Sequence, residues 1–203
     1  MHRLFNPEGL LWKPLGYIGE LVMLSLLWAL CSVPVVTLGP ASAALYDTTV
    51  HVLRRRDDTL FARFFSTFRR ELKEGILSTL LCAAGLLALG LVYYLVLRVF
   101  PGFAERRALA LLPAILLAFF ALGFLCWVWP ILSRFTLGLG ALHSTALRLA
   151  LGHSLRSAAM ALLWGAAAYF SFRFLSPILF LPGLAALLSS YLVEPVFAKY
   201  EDP

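Results

Sequence analysis

Long segments without a charged side chain constrain this chain more than any other feature. These segments lie between Glu20 and Asp47, Glu74 and Arg98, Arg107 and Arg134, Arg156 and Arg173, and Arg173 and Glu194. A bilayer-spanning helix needs about 20 consecutive apolar residues, and most of these segments are long enough. The 203 residues are 61% hydrophobic and 14% charged, with a mean hydropathy of +0.86. A soluble fold carries about 25% charged residues, so we predict an all-α, polytopic membrane protein.

Five transmembrane helices are predicted, in a single integral membrane domain that covers residues 1–203. Their bounds are about Tyr17–Leu38, Gly75–Val99, Leu109–Leu132, Ser157–Phe174 and Ile178–Val196. The fourth is a little short, but arginines at both ends can snorkel and extend it. Ala41-Ser42-Ala43 resembles a signal-peptide cleavage site. However, the first apolar run is longer than the core of a signal peptide, so we expect this helix to be retained.

Amphipathic helices are predicted in the plane of the membrane on the cytoplasmic side, over residues 40–55, 58–73 and 138–152. In the second, Phe61, Phe64, Phe65 and Phe68 have the spacing of one helix face, with basic residues opposite. Such a helix lies on anionic lipid or in the groove of a partner protein, and amphipathicity alone does not separate the two. The candidate docking residues for the lipid or the partner are Arg54, Arg55, Arg56, Phe61, Arg63, Phe64, Phe65, Phe68, Arg70 and Lys73.

The turn at Gly39-Pro40 is predicted to be structural, because proline fits the first turn of a new helix. We expect it to set the angle between the first span and the helix that follows. A β-branched residue at Gly39 should therefore be destabilising, since such residues tolerate a narrow range of backbone angles.

The distribution of basic residues predicts the orientation of the chain in the membrane. Eleven lie on one predicted side and six on the other, so the positive-inside rule places the first side in the cytoplasm. The eleven are Arg54, Arg55, Arg56, Arg63, Arg69, Arg70, Lys73, Arg134, Arg148, Arg156 and Lys199. This arrangement predicts an external N-terminus and a cytoplasmic C-terminus. It also explains the net charge of +6 without a nucleic-acid partner.

Candidate chemistry is sparse along the sequence. His143 and His153 are not at ligand spacing with any Cys, Asp or Glu, and no nucleophile is paired with a base, so we expect no enzyme activity, cofactor or metal. Glu20 and Glu194 are the acids nearest the predicted spans. An acid inside a membrane is a functional candidate. Near an interface, however, a carboxylate can stay hydrated, and we prefer this non-functional interpretation for both residues. Arg134 is predicted on the same side as Glu194 and can pair with it.

Several blocks of the sequence resemble the YesL family of bacterial membrane proteins, also called domain of unknown function 624. The first block is Leu30–Tyr46, LCSVPVVTLGPASAALY, and the second includes Phe64-Phe65 and Leu72-Lys73. A third covers Trp129–Phe135 and Ala146–Leu151. The resemblance implies a multi-pass protein of the bacterial plasma membrane. Genes of this family commonly lie beside carbohydrate ABC importers, which implies a role in sugar uptake by association only.

The leading functional hypothesis is a non-enzymatic accessory subunit, associated with a carbohydrate ABC importer or its regulation, that docks through the helix at residues 58–73. The alternative is a small autonomous transporter or channel. A co-purifying partner would favour the first hypothesis, and a continuous polar cavity at the middle of the bilayer would favour the second.

Overall fold

The computed structural model describes residues 12–56, 59–99, 107–174 and 176–201, which form helices without any β-strand. Residue 58, the predicted start of the second amphipathic helix, and residues 1–11 lie outside the described residues. The helices are α1 (Trp12–Cys31), α2 (Leu38–Thr48), α3 (Leu60–Arg70), α4 (Leu72–Val99), α5 (Arg107–Arg134), α6 (Leu139–Gly152), α7 (Ser154–Phe174) and α8 (Leu181–Glu201). Helix α2 continues as a π-helical stretch over Thr49–Arg55, and short 3₁₀ turns cover Val35–Thr37 and Ser176–Leu179.

The all-α prediction is confirmed, while the number of spans is not. Among the described residues, three helical segments are long and apolar enough to cross a membrane: Leu72–Val99, Leu111–Arg134 and Leu181–Lys199. The apolar part of α1, Gly16–Cys31, is shorter, and α7 is not among the three. A total of five spans therefore stays a prediction.

The first helix ends at Cys31, seven residues before the predicted end of the first span. Proline has no backbone N–H and disfavours helical geometry in the residue before it, so the helix stops ahead of Pro34. Pro34 itself has an extended backbone, and Thr37 closes the turn by donating its hydroxyl to the Cys31 carbonyl at 2.6 Å. The chain then reverses into α2.

Helices α1 and α2 form an antiparallel hairpin. Near the turn, Trp28 Nε1 donates to Ser42 Oγ at 3.1 Å. At the open end, Arg56 Nη1 lies 2.7 Å from both carboxylate oxygens of Glu20, and its guanidinium carbon is 3.9 Å from the centre of the Tyr17 ring. An external N-terminus and a cytoplasmic Arg56 together predict that Glu20 and Arg56 lie on opposite sides of the membrane. That placement is wrong, because two side chains in contact lie on the same side.

Helix α2 is a central helix of the bundle and does not lie in its surface. Every residue from Gly39 to Thr48 is buried, and the helix packs against α1, α3, α4, α5 and α8. The amphipathic helix predicted in the membrane plane over residues 40–55 is thus buried among other helices in its first part, which its sequence pattern did not predict. Small residues fill its first turns, and they let neighbouring helices approach closely on every side.

The closest approach is the crossing of α2 and α4 at Gly39. The Gly39 N–H donates to Thr79 Oγ1 at 3.0 Å, and the Thr79 hydroxyl donates to the Gly75 carbonyl at 2.8 Å. A Cβ on Gly39 would lie 2.5 Å from that carbonyl oxygen and 2.9 Å from the Trp129 ring. A Cβ on Gly75 would lie 2.7 Å from the Pro40 ring. Close packing, and not backbone conformation, favours glycine at this turn, since none of the described glycines has a positive φ.

The start of α8 repeats this arrangement. The Gly183 N–H donates to Ser25 Oγ at 2.9 Å, and Ser25 donates to the Leu21 carbonyl at 2.8 Å. The first amides of a helix have no partner in their own helix, and in lipid no water can satisfy them. A hydroxyl on a neighbouring helix therefore satisfies an early amide at both helix starts.

Two buried clusters form the core. One joins α5–α8 around Trp127, Ile131, Leu142, Met160 and Phe197. The other joins α1, α2, α3 and α8 around Leu24, Leu45, Leu53, Phe64 and Ala186. In contrast, the far half of α4 and the facing half of α5 expose many large apolar side chains, for example Leu87 at 76% and Ile115 at 64%. An apolar surface of this extent marks a membrane or protein contact.

Candidate functional site: a charged cleft at one end of the bundle

A cleft of about 320 Å³ lies where α2, α3, α5 and α8 meet. It is lined mainly by polar and charged side chains, with three apolar ones among them. The polar lining residues are Tyr46, Asp47, His51, Arg63, Arg70, Glu71, Ser133, Arg134, Thr136 and Glu194. These residues come from both halves of the chain, so only the folded bundle creates the site.

Asp47 is the centre of the first charged cluster. Its carboxylate is 5% exposed and accepts from Arg63 through two nitrogens, with Nη2 2.9 Å from Oδ1. Thr67 Oγ1 donates to Oδ2 at 2.7 Å, and His51 Nδ1 lies 3.2 Å from Oδ1. Burial alone would raise the pKa of Asp47, but the hydrogen bonds from Arg63 and Thr67 outweigh burial and hold the pKa below its usual value. The carboxylate is therefore charged and held in place.

Glu194 is the centre of the second cluster. Arg134 Nη1 donates to Oε1, the Tyr46 hydroxyl donates to the same oxygen at 3.1 Å, and Arg55 Nη2 lies 3.5 Å from Oε2. The predicted Arg134–Glu194 pair is thus confirmed. Burial and the adjacent Glu194 carboxylate raise the pKa of Tyr46, so its hydroxyl stays protonated and donates.

The three consecutive arginines, predicted as a basic docking patch, each bind a different part of the bundle. Arg54 donates to the Ser190 carbonyl at 3.0 Å and lies 4.4 Å from the centre of the Tyr191 ring. Arg55 and Arg56 form the contacts with Glu194 and Glu20 described above. Arg56 adopts a left-handed backbone (φ 60°), which turns the chain out of the π-helical stretch. The run therefore fastens α2 to α1 and α8.

The phenylalanine stripe of α3 divides between two faces. Phe64 is fully buried and stacks on the half-buried Phe68, with ring centroids 6.3 Å apart. Phe61 and Phe65 remain 50% and 39% exposed. Two of the four rings therefore pack inside the bundle, and the other two face outward, where lipid or a partner would cover them. Buried Thr67, which binds Asp47, takes part of the inner face of α3.

The predicted docking cations also divide. Arg63 points inward to Asp47, opposite to its predicted outward position. Arg70 is half exposed and donates to the Ser133 carbonyl at 3.0 Å and to Glu71 Oε1 at 2.6 Å. Lys73 is exposed at the start of α4.

Sequence reasoning missed Asp47, Tyr46 and Glu71 as members of the site. One signal was available: Asp47 is a single acid in a helix, α2, that otherwise consists mainly of small and apolar residues. Such a helix is suited to burial, and a buried acid requires a cation beside it. Sixteen positions separate Asp47 from Arg63, so no periodicity within one helix joins them.

A second polar group lies outside the cleft. His143 Nε2 on α6 is 3.3 Å from Ser78 Oγ and 3.5 Å from Cys82 Sγ on α4. The sequence shows no nucleophile paired with a base, but the bundle brings Cys82 and His143 into contact across 61 positions. That prediction is therefore wrong for this pair. No group of three or more His, Cys, Asp or Glu side chains that could hold a metal occurs in the part of the chain that the structure describes.

The helices with exposed apolar surface and the charged cleft at one end define a helical membrane protein. Residues 21–94 match the family described as "Protein of unknown function, DUF624", which is consistent with assignment of the chain to the DUF624 (YesL) family. The matched residues include the first two sequence blocks and end before the third. Comparison with curated proteins and with solved structures gave no match.

Proposed function

We propose that this protein is a non-enzymatic accessory subunit of a membrane complex and that it docks through the outer face of α3. The observation that carries the proposal is a stripe of exposed residues at i, i+4 and i+8 on that helix: Phe61, Phe65 and Arg69. Aromatic and arginine side chains are enriched at protein interfaces. The inner face of the same helix is already occupied by the bundle, so the outer stripe is available for a partner.

The internal contacts of α3 support a docking role because they make the stripe rigid. Phe64 is fully buried, and Arg63 and Thr67 bind Asp47 through three hydrogen bonds. A surface that is held in its bound shape loses less conformational entropy on association. Lys73 extends the exposed positive charge by one more turn, at the beginning of α4.

A carbohydrate ABC importer, or a protein that regulates one, is the partner we propose. The support is the match of residues 21–94 to the DUF624 family, together with the resemblance to the YesL family, which implies a gene neighbourhood that includes such importers. The cytoplasmic position of the stripe is part of the same proposal and follows from the basic residues on that side of the chain.

The experiment compares partner recovery between variants purified from the native host in mild detergent. Phe61→Ala with Phe65→Ala should abolish co-purification of the importer subunits, while the amount of protein in the membrane stays unchanged. The melting temperature should fall only slightly, through loss of the edge-to-face contact of Phe65 with Phe64. Phe172→Ala on α7 is the matched control, because this ring is 95% exposed and lies outside the stripe. Equal partner recovery from the double variant, or no partner with the unmodified protein, would contradict the docking proposal and favour an α3 that rests on lipid.

A small autonomous transporter is the second candidate, and the charged cleft favours it. Its buried ion pairs come from α2, α3, α5 and α8, which is the kind of polar site that solute-binding membrane proteins contain. Four further cavities of about 310–410 Å³ in the described part have mainly apolar linings, which supports the accessory role instead. Solute flux into vesicles that contain only this protein would favour the transporter.

A further inference from the structure

A cysteine and a histidine meet at the edge of an apolar cavity between α4, α5 and α6. The cavity has a volume of about 360 Å³, and Cys82 and His143 both line it, with Sγ 3.5 Å from Nε2. Most of the remaining lining is aliphatic or aromatic, including Leu86, Leu89 and Phe120. A long hydrocarbon chain is therefore the chemical group that this cavity suits best.

The hydrogen bonds of His143 determine which nitrogen can act as a base. Nδ1 lies 2.8 Å from the Leu139 carbonyl oxygen, which can only accept, so Nδ1 carries the proton of the neutral ring. Nε2 then holds a lone pair, and both the Ser78 hydroxyl and the Cys82 thiol can donate to it. A nucleophile beside an oriented base is the arrangement used in covalent catalysis.

Cys82 is the group of this cluster that reaches the cavity. Ser78 is fully buried and does not line the cavity, whereas Cys82 is partly exposed and does. Gly85, three residues further along α4, also lines the cavity, and a Cβ there would meet no atom within 4 Å. The space beside the thiol is therefore open to an incoming group.

We propose that Cys82 is an S-acylation site that accepts the acyl group of a long-chain acyl thioester, with His143 as the general base. His143 Nε2 takes the thiol proton as Sγ attacks the thioester carbonyl carbon. The bond between that carbon and the leaving sulfur breaks, and the leaving thiolate takes the proton from His143. The products are acylated Cys82 and a free thiol, with no oxidation or reduction. The acyl chain then occupies the cavity and the exposed apolar surface of α4.

The test uses the full chain, purified in mild detergent and incubated with a long-chain acyl-coenzyme A that carries a terminal alkyne. We expect one acyl group per chain by intact mass, removal by neutral hydroxylamine, and peptide mapping of the modification to Cys82. Cys82→Ser should reduce labelling more than tenfold, while Cys31→Ser and Cys126→Ser should keep it. Absence of labelling, or mapping to another residue of the unmodified chain, would overturn the proposal without reliance on any variant.

The role of His143 has its own readout. A positioned general base contributes roughly 100-fold or more, so His143→Gln should slow labelling at pH 7 by about that factor. A rising pH favours the thiolate and reduces the need for a base, so the difference between His143→Gln and the unmodified protein should shrink as the pH rises. An unchanged rate at pH 7, or a deficit that does not change with pH, would remove His143 from the proposed step.

Discussion

Replacing Gly39 by alanine should destabilise the bundle, although alanine forms helices better than glycine. The new Cβ would lie 2.5 Å from the Gly75 carbonyl oxygen and 2.9 Å from Trp129, and it would also overlap Thr79. One of these neighbours is backbone and another is a large ring, so neither can move aside easily. The crossing of α2 and α4 would have to open.

The magnitude follows from three terms. Overpacking a well-packed site costs about 1–3 kcal/mol. Opening the crossing weakens the hydrogen bond from Gly39 N to Thr79 Oγ1, which contributes about 0.5–1.5 kcal/mol. The higher helix propensity of alanine returns about 1 kcal/mol. The net loss is therefore about 2 kcal/mol, which corresponds to a fall of roughly 4–8 °C in melting temperature for a chain of this size.

Thermal unfolding in mild detergent, followed by tryptophan fluorescence, measures this loss. Gly90→Ala on α4 is the matched control, because a Cβ at Gly90 meets no atom within 4 Å. The control should keep its melting temperature or raise it slightly, since only helix propensity changes. If Gly39→Ala melts at the same temperature as the control, close packing is not what requires glycine at this crossing.

Further predictions concern the charged cleft and the orientation of the hairpin. Asp47→Asn should cost about 3 kcal/mol in the same unfolding assay, because it leaves the inward-facing Arg63 without its charged partner. The folded-state pKa of Asp47 lies below its unfolded value, so its stabilisation is complete above about pH 4 and is lost as the pH falls through the folded value. Asp47→Asn should therefore show a flatter loss of stability in acid, and a variant as acid-sensitive as the unmodified protein would refute this. Cysteines introduced at Tyr17 and at Arg55 should react with an impermeant reagent from the same side of the membrane, and one at Arg98 from the other side. Labelling of the first two from opposite sides would contradict the α1–α2 hairpin.

The properties that depend on composition alone could be predicted from the sequence. The charge-free segments predicted the positions of α4, α5 and α8. This succeeds because the free energy of transfer of a helix into lipid depends on the sum over its own side chains. The Arg134–Glu194 pair could also be predicted, since both residues lie at the same predicted end of apolar segments. The blocks at residues 30–46 and 64–73 resemble the family in amino-acid sequence alone, and both fall within the matched region.

Only the tertiary structure decided which polar groups meet and which helix is central. The helix predicted over residues 40–55 has polar residues on one side, as a surface helix would. Asp47 is nevertheless buried, because Arg63 and Thr67 on another helix neutralise and bind it. The pairing of Cys82 with His143 likewise depends on how α4 crosses α6. Periodicity within one helix shows which side chains share a face, but it holds no information about the partner that covers that face. The partner is set by close approaches such as the one at Gly39, where the absence of a side chain permits contacts that no local pattern records.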